Sequence, residues 1–289
     1  MTVPGDPADG SVFARERQQE IARLVAASGR ARVADLVARF GVSAVTIRKD
    51  LRALEDERLV VRTHGGAIAP ADEGPEPAFR ERERLERDAK VAIGAAAAAL
   101  VGDGESIVLD ASSTALYLAR SLKARDAWHG LTVVTNSIPI ATELADHPGI
   151  TVLMLGGRVR REALSVVGPL GDGFFERVNV QKAFLGAAGL TLEAGLTDAT
   201  EEEAHIKRAM VAAAREVHAL ADHTKWGRVA SVTFCRADRL HGIFTDGAAP
   251  AGMVEAFRSA GIDVVTVAPG EGARSPESAR SSARRDRRG

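Results

Sequence analysis

Polar side chains gather at a few points of this chain where an apolar run gives way to a helical pattern. Asp110-Ala111-Ser112-Ser113-Thr114 follows the apolar Ser106–Leu109 and passes straight into a helix. Hydroxyls and free backbone N–H groups at a helix start make an anion site suited to a phosphate group. Thr135-Asn136-Ser137 repeats the arrangement after Leu131–Thr135, and Gly156-Gly157 ends a third run, where the missing side chains let backbone come close to a ligand. Glu203 and Lys207 are spaced i,i+4, which suits a simple helix salt bridge as well as it suits a ligand contact. Asp222-His223-Thr224-Lys225 closes another run, where a lysine meets a phosphate or an acidic sugar. Each cluster alone is explained by helix capping. Three in successive units point to a pocket.

A different chemistry sits near the amino terminus. Ser43 is a good N-cap for a helix reaching about Glu57. At about 100° per residue, Ile47, Leu51 and Leu54 share one stripe and must face a core. Val45, Arg48, Lys49 and Arg52 fall on the other side. Arginine pairs bidentately with guanine edges and a small apolar group meets a thymine methyl, while Lys49 and Arg52 serve equally as phosphate contacts.

These groups need elements to hold them. Phe13–Ala27 reads as a helix ended by Gly29, Val33–Phe40 as a second helix broken by Gly41, and Ser43–Glu57 as a third. Two short helices around a glycine turn are the helix-turn-helix pattern. Leu59–Thr63, the pair Gly65-Gly66 and Ala67-Ile68 then make a hairpin with Arg62 and His64 near its tip, the wing of a winged helix. After the Pro-, Gly- and acid-rich stretch Ala69–Pro77, a charge-dense helix from Phe79 is expected to run unbroken into AIGAAAAALV. Beyond it, strands are expected at Ser106–Asp110, Leu131–Thr135, Thr151–Leu155, Ala183–Gly186, Val217–Ala221, Gly242–Thr245 and Asp263–Val267. Helices are expected at Ser113–Lys123, Ile138–His147, Thr200–Arg215 and Ala251–Ala260. Apolar strands interleaved with helices give a largely parallel sheet covered on both faces, with ligands at the carboxyl ends of its strands.

Composition narrows the field. The 289 residues suggest about two domains, and 45% hydrophobic with 27% charged side chains is ordinary for a globular protein. Residues 15–70 carry 11 bases and 7 acids, whereas residues 71–272 carry 21 bases and 28 acids. A basic segment joined to an acidic one suggests nucleic acid as the partner of the first. The longest apolar run, Ile93–Val101, is too short for a bilayer, and the start MTVPGDPADG lacks the pattern of a secretory signal. The single Cys235 forms neither an internal disulfide nor a multi-cysteine metal site and reads as packing. A cytoplasmic protein without metal or cofactor is therefore expected. No G-x-x-x-x-G-K-[ST] or G-x-G-x-x-G occurs. The segment SPESARSSARRDRRG reads as a disordered basic tail.

The run Val42-Ser43-Ala44-Val45-Thr46-Ile47-Arg48-Lys49-Asp50-Leu51, followed by Arg62-Thr63-His64-Gly65-Gly66-Ala67, resembles the amino-terminal signature of the DeoR family of bacterial transcription regulators. VLDASSTA, TNSIPIA, MLGGRVR, KAFLGAAGL, GLTDATEEEAHIKRAM and ADHTKWGRVA resemble the family's sensor domain in order, so the likeness spans residues 15 to 268. The resemblance implies a winged helix-turn-helix at 15–70, a linker and connecting helix at 71–88 and a sensor at 89–270. The sensor would be a largely parallel α/β domain related to ribose-5-phosphate isomerase, and residues 271–289 form the tail. It implies DNA contacts from Ser43, Ala44, Val45, Thr46, Arg48, Lys49, Arg52, Arg62 and His64. It also implies a phosphate side at Asp110, Ser112, Ser113 and Thr114, a pocket lined by Thr135, Asn136, Ser137, Gly156 and Gly157, and polyol contacts from Glu203, Lys207, Asp222 and Lys225. Ala111-Ser112 departs from the family loop, which often has glycine there.

The leading reading is a repressor of a carbohydrate-use operon, a homodimer or homotetramer released from operator DNA by a phosphorylated sugar. The alternative is a sugar-phosphate isomerase-like enzyme with an appended DNA-binding domain, since carboxylates and lysines also suit proton transfer between adjacent carbons. An isomerase gains nothing from a winged helix, and kinship of fold does not imply activity.

Overall fold

The computed structural model describes residues 7–28, 30–57, 59–63, 65–68, 77–126, 128–168 and 173–268. Gly29, His64, most of the linker and the basic tail lie outside them. The chain opens with α1 (Pro7–Ser28), six residues earlier than the apolar spacing indicates, then β1 (Arg30–Arg32), α2 (Val33–Phe40) and α3 (Ala44–Asp56). β2 (Val61–Thr63) and β3 (Gly66–Ile68) follow. Gly41 ends α2 in the left-handed conformation at φ +64°, and its N–H reaches the Val37 carbonyl. The Ser43 side chain accepts from the Thr46 N–H and starts α3. Ile21, Val25, Leu36, Ile47, Leu51, Leu54, Val60 and Ala67 close the small core of this region.

The strand β1 was not expected. It pairs with β3, so the wing is a three-stranded antiparallel sheet in the order β1-β3-β2. Gly66 makes that pairing possible, because a Cβ there would stand 2.0 Å from the Ala31 carbonyl oxygen.

The helix expected to start at Phe79 and run unbroken is two helices, α4 (Phe79–Arg84) and α5 (Arg87–Ala98). Leu85 is extended and Glu86 is left-handed at φ 49°, which turns the chain. The buried Lys90 stabilises the break, donating to the Arg82 and Leu85 carbonyls at 2.5 Å each.

Beyond α5 lie β4 (Ser106–Leu109), α6 (Ser113–Lys123), β5 (Leu131–Thr135), α7 (Ile138–Leu144) and β6 (Ile150–Met154). Next come β7 (Arg158–Arg160), β8 (Ser165–Val167), β9 (Val180–Gly186), β10 (Gly189–Thr191) and β11 (Gly195–Asp198). The chain continues through α8 (Glu201–Ala213), β12 (Ala214–Leu220), β13 (Val232–Cys235), β14 (Gly242–Asp246), α9 (Ala251–Ser259) and β15 (Asp263–Val267). Seven strands form a wholly parallel sheet in the order β15-β14-β12-β9-β4-β5-β6. Alternate residues feed opposite faces. Ile107, Leu109, Leu131 and Val133 join α5, α6 and α7 in one cluster. Val108, Val134, Val217 and Ala219 join α8 and α9 in the other. Each fully buried Leu, Ile or Phe contributes about 1.5–3 kcal/mol.

The strand order reverses between β4 and β9, since β4, β5 and β6 build outward on one side and β9, β12, β14 and β15 on the other. Such a switch point opens a crevice at the carboxyl ends of the two central strands. A hairpin, β7–β8, and a small antiparallel sheet, β10-β11-β13, stand outside the main sheet.

Candidate functional site

At the switch point, the end of β4 is tied to the end of β9. Asp110 is fully buried, and its Oδ2 accepts from the Gly186 N–H at 3.0 Å while its Oδ1 accepts from the Ser112 N–H at 3.2 Å. A Cβ on Gly186 would lie 2.3 Å from Ser112 Cβ, so only glycine lets the two loops approach. Ser112 caps α6 by accepting from the Ala115 N–H at 3.1 Å. Ser113 turns to α4, donating to the Arg82 carbonyl at 3.3 Å, and Thr114 is buried beside it.

β5 ends in a second fixed turn. Thr135 donates to the Leu109 carbonyl at 2.7 Å and accepts from the Ser137 N–H at 3.0 Å, and Ser137 caps α7. Asn136 is fully buried and donates to the Val166 carbonyl at 3.3 Å, which leaves its Oδ1 buried without a hydrogen-bond partner. Gly156 and Gly157 are exposed, and a Cβ on Gly157 would stand 2.5 Å from the Val167 carbonyl oxygen. Gly157 is thereby accounted for by the hairpin it starts.

Glu203 and Lys207 do not pair with each other. Lys207 Nζ lies 2.9 Å from Asp110 Oδ2 and 2.6 Å from Asp198 Oδ2, and it donates to the Gly186 carbonyl at 2.9 Å. It also stands 4.9 Å from the centre of the Phe234 ring. Burial pulls this ammonium towards neutrality, but Asp110, Asp198 and Glu203 outweigh burial and hold its pKa above the ordinary lysine range. Glu203 accepts from Arg160 Nη1 at 2.8 Å and from the Ser165 hydroxyl, so α8 grips the β7–β8 hairpin. The two groups were grouped by sequence spacing. The fold gives them separate partners, Arg160 and Ser165 for Glu203 and Asp110 and Asp198 for Lys207.

Asp222 is buried and accepts from the backbone N–H and the hydroxyl of Thr224, with Lys225 half-buried one residue on. His223 is held by Asp246, 3.0 Å from its Nδ1, which makes it a positioned loop residue. Lys90 lies in the electrostatic range of Asp222 and Lys225; burial above all lowers its pKa to about 8. Asp198, at the edge where the sequence places Gly195-Leu196-Thr197-Asp198 before a helix, is the second carboxylate on Lys207. Sequence reasoning missed Lys90, Arg160, Ser165 and Asp246. For Lys90 a signal existed, a single lysine inside the alanine-rich RDAKVAIGAAAAALV. The others give no local pattern, because their partners are far away in the chain.

At the amino-terminal end, α3 presents Val45 at 73% exposure together with exposed Arg48, Lys49 and Arg52. Ser43 and Thr46 hydroxyls meet at 2.9 Å in the cap, and Ala44 is half-buried between them. The Arg62 N–H donates to Glu55 Oε1 at 3.1 Å, and its guanidinium is 3.5 Å from Glu55 Oε2, which joins the wing to α3. Asp50 belongs to the scaffold. It is buried and accepts from Arg17 Nε at 2.6 Å and Gln18 Nε2 at 2.9 Å. Cys235 is buried too, and burial pushes its thiol up to about 12, which suits packing rather than reaction.

Residues 17–73 match the DeoR-like helix-turn-helix domain and residues 85–247 match the DeoR C-terminal sensor domain. The chain belongs to the DeoR family of transcriptional regulators. The HTH-type transcriptional regulator GolR of Listeria innocua is 35% identical over 256 residues, covering 88% of this chain and 98% of that protein. The HTH-type transcriptional repressor GlcR of Bacillus subtilis is 33% identical over 80% of this chain and 88% of its own. Among solved structures, ribose 5-phosphate isomerase A of Methanocaldococcus jannaschii is similar over 48% of this chain and 54% of that one. Its TM-score is 0.37 at 20% identity, too distant to carry a functional argument. The DeoR-like helix-turn-helix domain of this chain precedes its sensor domain.

Proposed function

We propose that this DeoR-family regulator represses a carbohydrate-use operon and leaves its operator when a phosphorylated sugar binds at the carboxyl edge of the parallel sheet. In this reading residues 15–70 bind DNA, 71–88 connect, and 89–270 sense the effector. α3 enters the major groove, with Arg48 and Val45 on base edges and Lys49, Arg52, Arg62 and His64 on the backbone. Ser43, Ala44 and Thr46 set the start of the helix against the DNA.

The observation that carries the effector half is the cluster of buried polar groups at the carboxyl ends of β4 and β9, where Lys207 ties Asp110 to Asp198, Glu203 holds Arg160 and the first turn of α6 lies beside Asp110. A helix start favours an anion, and the surrounding carboxylates, Ser137 and the unpartnered Asn136 Oδ1 suit the hydroxyls of a polyol. Gly156, Gly157 and Lys225 complete the rim. Proton transfer is the weaker use of these groups, because Lys207 is locked as a cation between two carboxylates and is no base. A dimer or tetramer presents two α3 helices to a two-part operator.

The test is binding of the purified protein to a fluorescent duplex from upstream of its own operon, with and without a panel of sugar phosphates at fixed salt. Tight specific binding relieved by one compound is expected; absence of any specific binding would overturn the reading. Arg48→Ala is expected to cost about 1–3 kcal/mol of operator affinity, and unchanged affinity would remove Arg48 from the recognition face.

A further inference from the structure

We propose that the short helix α4 is the latch through which the crevice and the DNA-binding region sense each other, an inference that rests on the regulator reading above. α4 is the first helix after the linker among the described residues, and its two ends are held by the β7–β8 hairpin and by the opening turns of α5 and α6. Its opening Phe79 N–H donates to the Glu162 carbonyl at 2.7 Å, in the turn of the β7–β8 hairpin. At its far end the carbonyls accept from three side chains. Ser113, in the first turn of α6, reaches the Arg82 carbonyl at 3.3 Å, and Tyr117, one turn on, reaches the Glu83 carbonyl at 3.1 Å. Lys90 takes the Arg82 and Leu85 carbonyls at 2.5 Å each.

The hairpin at one end of α4 and Ser113 at the other adjoin residues of the proposed effector site. Ser113 follows the Asp110 turn directly. Arg160, in the same hairpin as Glu162, grips Glu203 on α8, and Lys207 one turn later on α8 grips Asp110 and Asp198. A ligand that draws on the α6 turn or on Glu203 therefore changes what α4 is tied to at both ends.

α4 itself is suited to move. Only Phe79 of its six residues is buried, while Arg80, Glu81 and Arg84 are exposed. Besides the apolar anchor Phe79, it is attached by hydrogen bonds to backbone carbonyls and by the partly exposed ion pair of Glu83 with Arg120 on α6 at 2.8 Å, and elements with few buried contacts open at low free-energy cost. In this reading the tether has two states, tied and released, that both sites bias, which is what coupling between sites requires.

Because coupling is reciprocal, the test needs no effector. Amide hydrogen exchange is followed on the full chain, free and bound to a duplex from upstream of its own operon. Bound DNA is expected to protect residues 44–56 and to change exchange at 79–85 and 113–116 by about fivefold or more. Protection at 44–56 with no change at 79–85 and 113–116 overturns the latch and leaves the regulator intact. No protection at 44–56 means the regulator reading fails, and the latch fails with it. Tyr117→Phe keeps the ring and removes only the hydroxyl on the Glu83 carbonyl. It is expected to keep protection at 44–56 and lose most of the change at 113–116. An unaltered change in that variant would also overturn the proposal.

Discussion

Lys207 and Lys90 are both buried lysines at the carboxyl edge of the same sheet, and their surroundings drive them in opposite directions. Lys207 has two carboxylates within 2.9 Å, so removing it leaves Asp110 and Asp198 buried without their cation. Breaking a buried pair in this way costs about 3–5 kcal/mol. Lys207→Ala is therefore expected to lower the urea midpoint by that equivalent, and a change under 1 kcal/mol would mean the carboxylates are solvated after all. Lys90 instead faces two neutral carbonyls, and burial lowers its pKa to about 8 from the ordinary 10.5. Between those two values the unfolded chain holds a proton that the folded chain has released, so this group makes stability rise with pH across that window. Below pH 8 both states are protonated and the penalty is fully present. The rise is at most about 3 kcal/mol, and the neutral amine still has two hydrogens for its two carbonyls. Urea unfolding at pH 8, 9 and 10 should show this slope in the native chain and a flatter one in Lys90→Gln; equal slopes would assign the effect elsewhere.

At the scale of elements, the crevice depends on how closely β9 can approach the loop after β4. Gly186→Ala puts a Cβ 2.3 Å from Ser112 Cβ, a rigid neighbour. Forced overpacking costs about 1–3 kcal/mol, and the same loss should appear in chemical denaturation. Gly252→Ala in α9, with nothing within 4 Å, is the control that should be tolerated. Such elements were legible in the sequence to differing degrees. α6, β5 and β15 run over the very residues expected: β5 is buried on both faces and reads as a continuous apolar run, Ser112 marks the start of α6, and the β-branched run of β15 follows the turn that ends α9. β1, β7, β8 and β10 were not legible. Each is three residues long, too short to show a period of two, and exists because of partners elsewhere. The same holds for the crevice: its residues at strand ends could be read, but Arg160 on Glu203 spans 43 positions and no local spacing reveals it. The break between α4 and α5 was hidden for a different reason: the charge-dense residues around Leu85 and Glu86 carry no glycine or proline to mark a turn, and Lys90, which binds the freed carbonyls, reads as one more helical residue.

The whole molecule separates its charge as it separates its tasks. Residues 15–70 hold an excess of four bases, and residues 71–272 an excess of seven acids. A polyanion is attracted by the first and repelled by the second, so the acidic sensor restricts which face of the chain can lie against DNA. The exposed face of α3 is then expected to supply most of the salt dependence, and its cations should divide by role. Each phosphate neutralised contributes about −0.9 to the slope of log affinity against log salt. Lys49→Ala should weaken operator and unrelated duplexes alike and reduce the magnitude of that slope by about 1 for each bound copy. Arg48→Ala should weaken the operator selectively and narrow the gap between specific and non-specific binding. Anisotropy titrations of both variants over a series of salt concentrations measure the two quantities together. If Lys49→Ala narrowed specificity and left the slope unchanged, the base-reading and phosphate-holding sides of α3 would have to be exchanged. The doubling of the slope change in a dimer would count the copies seated on one operator.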